Sequence, residues 1–355
     1  MKNDKTKNLS AFLRDQQGST ALIIGLMLPV FLGFAALAVD VGQMMAVKAQ
    51  LNNAAEAGAL SGAWGLVPYT GTNPQPNWSN GTTLARQSVE RNAADNHFLT
   101  VSEASPGAAV PSLAEVPPRS QATPCYWRLS DNTTWPASIT PQAADVPGMQ
   151  VTVAKTAGHN GGPLSMMFAN ILGFNTVNLG GQAVAMVSFP KGMPVGALFP
   201  LAAAQTYVNQ YLPRNPPVSF KIGSGSGSYG QWTSFKVNNN SASYVDGLIV
   251  NGNPVSLNLT EDIYIQTGVK ASNYGDAASR LGQTVVIALV NPTDINVSGP
   301  TPVLGFVAFR IEAVSQSAKY IQGHYDKDFN ITNAAGIGPP TPGTLSTPNP
   351  PCLVN

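Results

Sequence analysis

The chain has 355 residues, of which 43% are hydrophobic and only 10% charged, with 19 Lys and Arg against 18 Asp and Glu for a net charge of +1. An average soluble protein carries about 25% charged residues, so solubility here rests on Ser, Thr, Asn and Gln, and no basic field exists to hold a nucleic-acid backbone. The 34 Gly and 29 Pro imply short elements joined by many turns.

Residues 1–17 form a polar tail carrying Lys2, Lys5, Lys7 and Arg14. From Thr20 to Val39 no side chain is charged. Such a run of about 20 apolar residues is what a helix needs to cross a hydrocarbon core of about 30 Å. In lipid the backbone must satisfy its own hydrogen bonds, so the run is read as a helix. Asp40 ends it, yet Val41, Met44, Leu51, Ala55 and Gly62 continue at helical spacings. One unbroken helix over residues 18–64 is expected, half in lipid and half in water, with Pro29 bending but not breaking it. The basic tail places the N-terminus on the cytoplasmic side and exports the remainder. The tripeptide Ala36-Leu37-Ala38 has the form of a cleavage site, so removal of the N-terminal segment is the alternative.

Gly18-Ser19-Thr20-Ala21, the apolar run, Val39-Asp40-Val41-Gly42 and the stretch Lys48-Ala49-Gln50-Leu51-Asn52-Asn53-Ala54-Ala55-Glu56-Ala57-Gly58-Ala59-Leu60 together resemble the N-terminal segment of TadG-like proteins of Flp (Tad) pilus assembly. The resemblance covers residues 14–64. It implies a bacterial inner-membrane protein with a single pass, a cytoplasmic N-terminus and the bulk of the chain in the periplasm. Its implied partners are the inner membrane and other pilus-assembly proteins or pseudopilin helices. Processed pilins place a Glu five residues after the cleavage-site Gly; here that position is Ile23, which puts processing in doubt. The Asp-x-Ser-x-Ser metal motif of the von Willebrand A-type domain, which some members carry, is not found in this sequence.

Beyond the helix, residues 65–81 are turn-rich, and residues 82–98 read as a second helix capped by Thr82 or Thr83, with Leu84, Val89 and Ala93 as its apolar stripe. Met149, Val151 and Val153, and then Val177, Leu179 and Gly181, alternate as half-buried strands do. Pro163 to Phe174 between them has a short helical pattern whose Met166, Met167, Phe168, Ile171 and Leu172 are expected to pack into the core; a membrane-surface or partner patch is the alternative. Residues 65–189 are thus a first exported α+β block. Residues 190–333 form a second, β-rich block with strand candidates at 218–222, 232–237, 245–250, 255–259, 263–265, 284–290 and 303–314. Residues 334–355 are a Pro-rich tail, expected to be extended and exposed. The fold class is α+β: a long membrane-spanning helix, then a β-rich exported region, sandwich or partial barrel, with a few short helices.

Chemical signals are sparse. Gly225 to Gly230 fits Gly-x-Gly-x-x-Gly, but a strand pattern follows where a phosphate-binding loop needs a helix. His97, His159 and His324 lack zinc spacing. Asp326-x-Asp328-x-Asn330 begins like a calcium loop but has Ile331 and Ile337 where Gly and Glu belong, so a polar turn is the reading and a weak metal site the alternative. No catalytic, cofactor-binding or metal residue is assigned, and no small-molecule substrate. Cys125 and Cys352 are the two cysteines, and an even count in an oxidising compartment suggests a bridge. The expected role is a non-enzymatic, membrane-anchored assembly component acting by protein contact, with Asp40 and Gly42 at the membrane exit and Leu51, Asn53 and Ala55 on the packing surface. The alternatives are a tethered exported hydrolase, which needs a catalytic constellation, and a surface adhesin, which needs exposure beyond the envelope.

Overall fold

The computed structural model describes residues 16–67, 76–113, 116–223, 229–268, 271–341 and 344–354. Nearly all of the polar tail, part of the 65–81 turn region and residues 225–228 of the glycine motif lie outside them; from Gly230 that motif runs into a strand.

Helix α1 spans Gln16–Gly65 without interruption, with Pro29 inside it. From Leu22 to Val39 its side chains are exposed, only Ala36 being half-buried. From Val47 the buried positions include Leu51, Ala54, Ala55, Gly58, Ala59, Gly62 and Ala63, a stripe at spacings of three and four that faces one side.

That stripe lies on a six-stranded sheet. The order is Cys352–Val354, Leu179–Met186, Asp145–Lys155, Gln121–Arg128, Ser102–Glu103, with Thr133–Pro136 also paired to Gln121–Arg128. Only the Ser102–Glu103 pairing is parallel. Strand Asp145–Lys155 is buried along its whole length. Met149, Val151 and Val153 point to α1, while on the other face Gln150 and Thr152 bond to the carbonyls of Pro111 and Arg119 in a covering loop.

Helix α2, Trp78–Glu90, packs beside α1. It starts four residues before the sequence reading, because Asn77 rather than Thr82 or Thr83 caps it through Asn80 N–H at 3.1 Å. Gly81, which reads as a turn signal, is instead a helical residue under Leu66 and Gly62. The expected helical stretch 91–98 is a small hairpin, Ala93–Ala94 with His97–Phe98.

The second region is built on an eight-stranded sheet curled as a half-barrel. Its order is Phe220–Gly223, Tyr320–Tyr325, Gly305–Ser315, Thr284–Val290, Leu201–Ala204, Gly230–Thr233, Asp262–Gln266, Gly299–Pro302. Leu201–Ala204 runs parallel to Thr284–Val290 and the other pairs are antiparallel. Both faces are covered: Ile287 and Leu289 enter one core, Val286, Ala288 and Val290 the other. Residues 245–250, expected as a strand, lie in a helix, Ala242–Asn251. Its Val245, Leu248 and Ile249 recur at three and one, and Ser241 occupies the N-cap position, so the run is one face of a helix.

Two further expectations are corrected. The Pro-rich tail is exposed only in part: residues 344–349 are buried. Thr347 N–H donates to the Phe306 carbonyl at 3.1 Å and Asn349 N–H to the Ser188 carbonyl at 2.9 Å, so the tail straps the half-barrel before its last strand joins the first sheet. Of the apolar segment 163–174, Leu164 enters the core but the tip does not. Only Ala169–Leu172 is helical, as a single 3-10 turn, between the short strands Leu164–Ser165 and Thr176–Val177. Met167, Ile171, Leu172 and Phe174 stand exposed at its tip.

Candidate functional site

The site is the length of α1 from the point where its bare half ends. Asp40 is the first charged residue after the span, and its side chain is fully buried although its neighbours Val39 and Val41 are exposed. Burial without partners would force a carboxylate to take up a proton. Here the carboxylate accepts three backbone N–H groups 127 or more residues away. Met167 N–H lies 2.9 Å from Oδ1, Phe168 N–H lies 3.2 and 3.0 Å from the two oxygens, and Ala169 N–H lies 2.5 Å from Oδ2. Desolvation pushes its pKa up, but the bonds to Ala169, Met167 and Phe168 outweigh it, so the carboxyl is held below its ordinary range. These are the N–H groups at the start of the Ala169–Leu172 turn, which have no partner inside the turn. Asp40 is thus a cap supplied from another element, joining α1, at the point where its bare apolar half ends, to the 163–177 hairpin.

Farther along, the fit depends on the absence of side chains. A Cβ built on Gly181 would lie 2.3 Å from the backbone C and O of Leu51, so helix and strand touch through their main chains. A Cβ on Gly62 would lie 2.6 Å from Met149 Cγ and 2.9 Å from Ala85 Cβ. Gly58 and Gly62 are four apart on α1, facing Gly81 and Ala85, four apart on α2. Matched small residues at this spacing let two helices cross closely. This explains why a helix poor in long apolar side chains holds together in water: its Ala and Gly face is the contact surface.

The five residues singled out from the sequence divide between two faces. Asp40, Leu51 and Ala55 are buried. Gly42 and Asn53 are exposed, and nothing lies within 4 Å of a Cβ on Gly42. With Met45 and Ala49 they form the opposite face of α1. The bond from Asp40 to Met167, Phe168 and Ala169 is not visible in the sequence, although one signal was there. A lone carboxylate directly behind a long apolar run needs a partner, and no basic side chain stands near it in the chain.

The cysteines do not pair; both are free. Register explains this. Cys125 stands opposite Gly148, Gly148 opposite Met186, and Met186 opposite Cys352. The two cysteines therefore share a row of the sheet with two strands between them, about 14 Å at 4.7–4.9 Å per strand, well beyond disulfide reach. Burial pushes the Cys125 thiol pKa up to about 12.

Among the described residues, no group of three or more His, Cys, Asp and Glu side chains converges as a metal site would require. His324 pairs with Glu312 at 2.7 Å. Asp326 accepts the backbone N–H of Asp328, a local polar turn. The cleft beside Thr284 and Phe329 contains Arg280, whose guanidinium is taken by the carbonyls of Ile249 and Val250.

No curated protein and no solved structure matches the chain. Residues 18–65, all of α1 but its first two residues, match the Tad family model, Flp pilus-assembly TadE/G-like, and this match ties the N-terminal segment to Flp pilus assembly.

Proposed function

We propose that the protein is a membrane-anchored, non-enzymatic component of a Flp (Tad) type pilus or a related envelope machine, and that it acts by protein contact. The observation that carries this reading is the coincidence of two boundaries. The family match ends at residue 65, where α1 ends, so the matched unit comprises both the bare apolar half and the half packed on the sheet. In this reading residues 20–39 cross the inner membrane once, with Lys2, Lys5, Lys7 and Arg14 holding the N-terminus in the cytoplasm and the β-rich regions outside it. The inner face of α1 is occupied by the chain's own sheet and α2. The face of Gly42, Met45, Ala49 and Asn53 is left open to another pilus-assembly protein or a pseudopilin helix.

Deletion of the gene with counting of surface pili tests the role: pilus number is expected to fall, and normal number with normal adhesion would refute it. Asn53→Arg, on the open face, is expected to lower pilus number while leaving protein level unchanged. An unaffected count would remove that face from the contact. Protease added outside spheroplasts is expected to digest the β-rich regions; digestion only in inverted vesicles would reverse the orientation.

A further inference from the structure

We infer that the 163–177 hairpin is a second membrane-contacting element, dipping its apolar tip into the outer leaflet beside α1, with Asp40 as the latch that holds it there. The inference rests on the reading of residues 20–39 as a membrane span.

Position is the first argument. The tip residues Phe168, Ala169, Ile171 and Leu172 share a cleft with Gly33, Ala36 and Leu37 of α1. All three helix residues precede Asp40. Gly33 is seven residues before it, which is about 10 Å along a helix. The hairpin therefore runs back from the membrane exit along the lipid-facing half of α1, to a depth of the kind at which interfacial elements bury their apolar faces, about 5–10 Å. Continuity with the bare face of the span decides the occupant: whatever solvates Gly33 and Leu37 also solvates Ile171 and Leu172.

Composition is the second argument. Met167, Ile171, Leu172 and Phe174 are each exposed by about two-thirds or more, Ile171 by 84%. No Lys, Arg, Asp or Glu occurs from Thr156 to Pro190. A surface built for a protein partner carries a polar rim around its apolar centre, and residues 156–190 contribute no charged side chain to one.

The backbone supplies the third argument. Irregular chain is tolerated at membrane depth only if its polar groups are closed. Met166 N–H bonds to the Asn175 carbonyl, Ile171 N–H to Phe168, Gly173 N–H to Asn170 and Phe174 N–H to Ala169, all at 2.9–3.1 Å. The N–H groups of Met167, Phe168 and Ala169, which the turn cannot satisfy itself, are those that Asp40 takes. Gly173, at φ +88°, closes the other end of the turn in a conformation that side chains rarely adopt. The carboxylate thus does for this hairpin what water would do for a loop in solution.

The test uses the full chain, with Cys352→Ser to remove the exposed thiol, reconstituted in vesicles of neutral phosphatidylcholine. A polarity-sensitive fluorophore is placed on a cysteine at Ile171, at Leu26 in the span, or at Val297 in the second region. Quenching is compared between a lipid carrying a nitroxide near the headgroup and aqueous iodide. The expected result is lipid quenching with a blue-shifted emission at positions 171 and 26, and iodide quenching at position 297. Iodide quenching at 171 with lipid quenching at 26 overturns the inference, leaves the anchor standing and assigns the patch to a protein partner. Iodide quenching at both overturns the inference together with the span. Asp40→Ala, in the same vesicles, is expected to shift the 171 label toward iodide quenching while the 26 label is unchanged; an unmoved 171 label would overturn the latch.

Discussion

The contact between α1 and its own sheet can be tested with one substitution made at two positions. Gly42 and Gly62 lie in the same helix, and replacing a helical Gly by Ala gains about 0.8–1.0 kcal/mol of backbone propensity at either. Only their surroundings differ. At Gly42 the added methyl meets nothing within 4 Å, so Gly42→Ala is expected to stabilise by about that gain. At Gly62 it would stand 2.6 Å from Met149 Cγ, 2.9 Å from Ala85 Cβ and 3.1 Å from the Gly81 carbonyl. Favourable carbon contacts lie at about 3.5–4.0 Å, so α2 and the fully buried Met149 must each retreat by several tenths of an ångström or more. Overpacking of this kind costs about 1–3 kcal/mol. Gly62→Ala is therefore expected to be destabilising by up to about 2 kcal/mol, and the difference between the two variants, in which propensity cancels, is about 1–3 kcal/mol. Thermal unfolding of the full chain in detergent, followed by tryptophan emission, reads this directly, since about 1 kcal/mol moves a midpoint by roughly 2–4 °C in a domain of 150–250 residues. Equal midpoints for the two variants, or a higher one for Gly62→Ala, would refute the claim that this helix is made of small residues because the sheet and α2 press against it.

Three further outcomes are expected. Leu51→Ala removes a fully buried side chain from the α1–sheet core and should cost about 2–5 kcal/mol, whereas Asn53→Ala, two residues on and exposed, should stay within about 0.5 kcal/mol; the same melting experiment compares them. The Asp40 carboxyl is held below its ordinary range in the folded chain, so its contribution is complete above the unfolded value of about 3.9 and disappears as pH falls through the lower folded value. Amide exchange at Met167, Phe168 and Ala169, corrected for intrinsic rates, should accelerate in Asp40→Asn at neutral pH, and the variant should lack the wild-type acid dependence in that window. Cys352 should react with a maleimide in the native protein while Cys125 reacts only on denaturation, and an oxidant should leave the two uncrosslinked within one chain; an intramolecular bridge found by mass spectrometry would contradict the sheet register.

What the sequence determined by itself is what contiguous residues decide among themselves. Twenty residues without charge from Thr20 to Val39 mark a helix long and apolar enough to cross a membrane, the one local conformation that closes its own hydrogen bonds. Spacings of three and four carry that helix on to residue 64, one short of where it ends, period two marks the strand through Met149, Val151 and Val153, and an apolar run marks the one at Thr284–Val290. The run Val245–Val250 shows the limit of local reading, since a short apolar stretch fits strand and helix alike until Ser241 and the neighbouring elements arbitrate. Tertiary structure alone decided the rest, because each remaining feature joins residues that are distant in the chain. Gly81 reads as a turn until Gly62 is placed against it. Residues 344–349 of the Pro-rich tail lack a period yet are buried, because Phe306 and Ser188 offer their backbone partners. The two cysteines satisfy the arithmetic of a bridge, and only strand order keeps them apart. The apolar segment after Pro163 suits a core on hydrophobicity alone; its tip stands exposed, with its backbone capped by Asp40, 127 residues earlier in the chain.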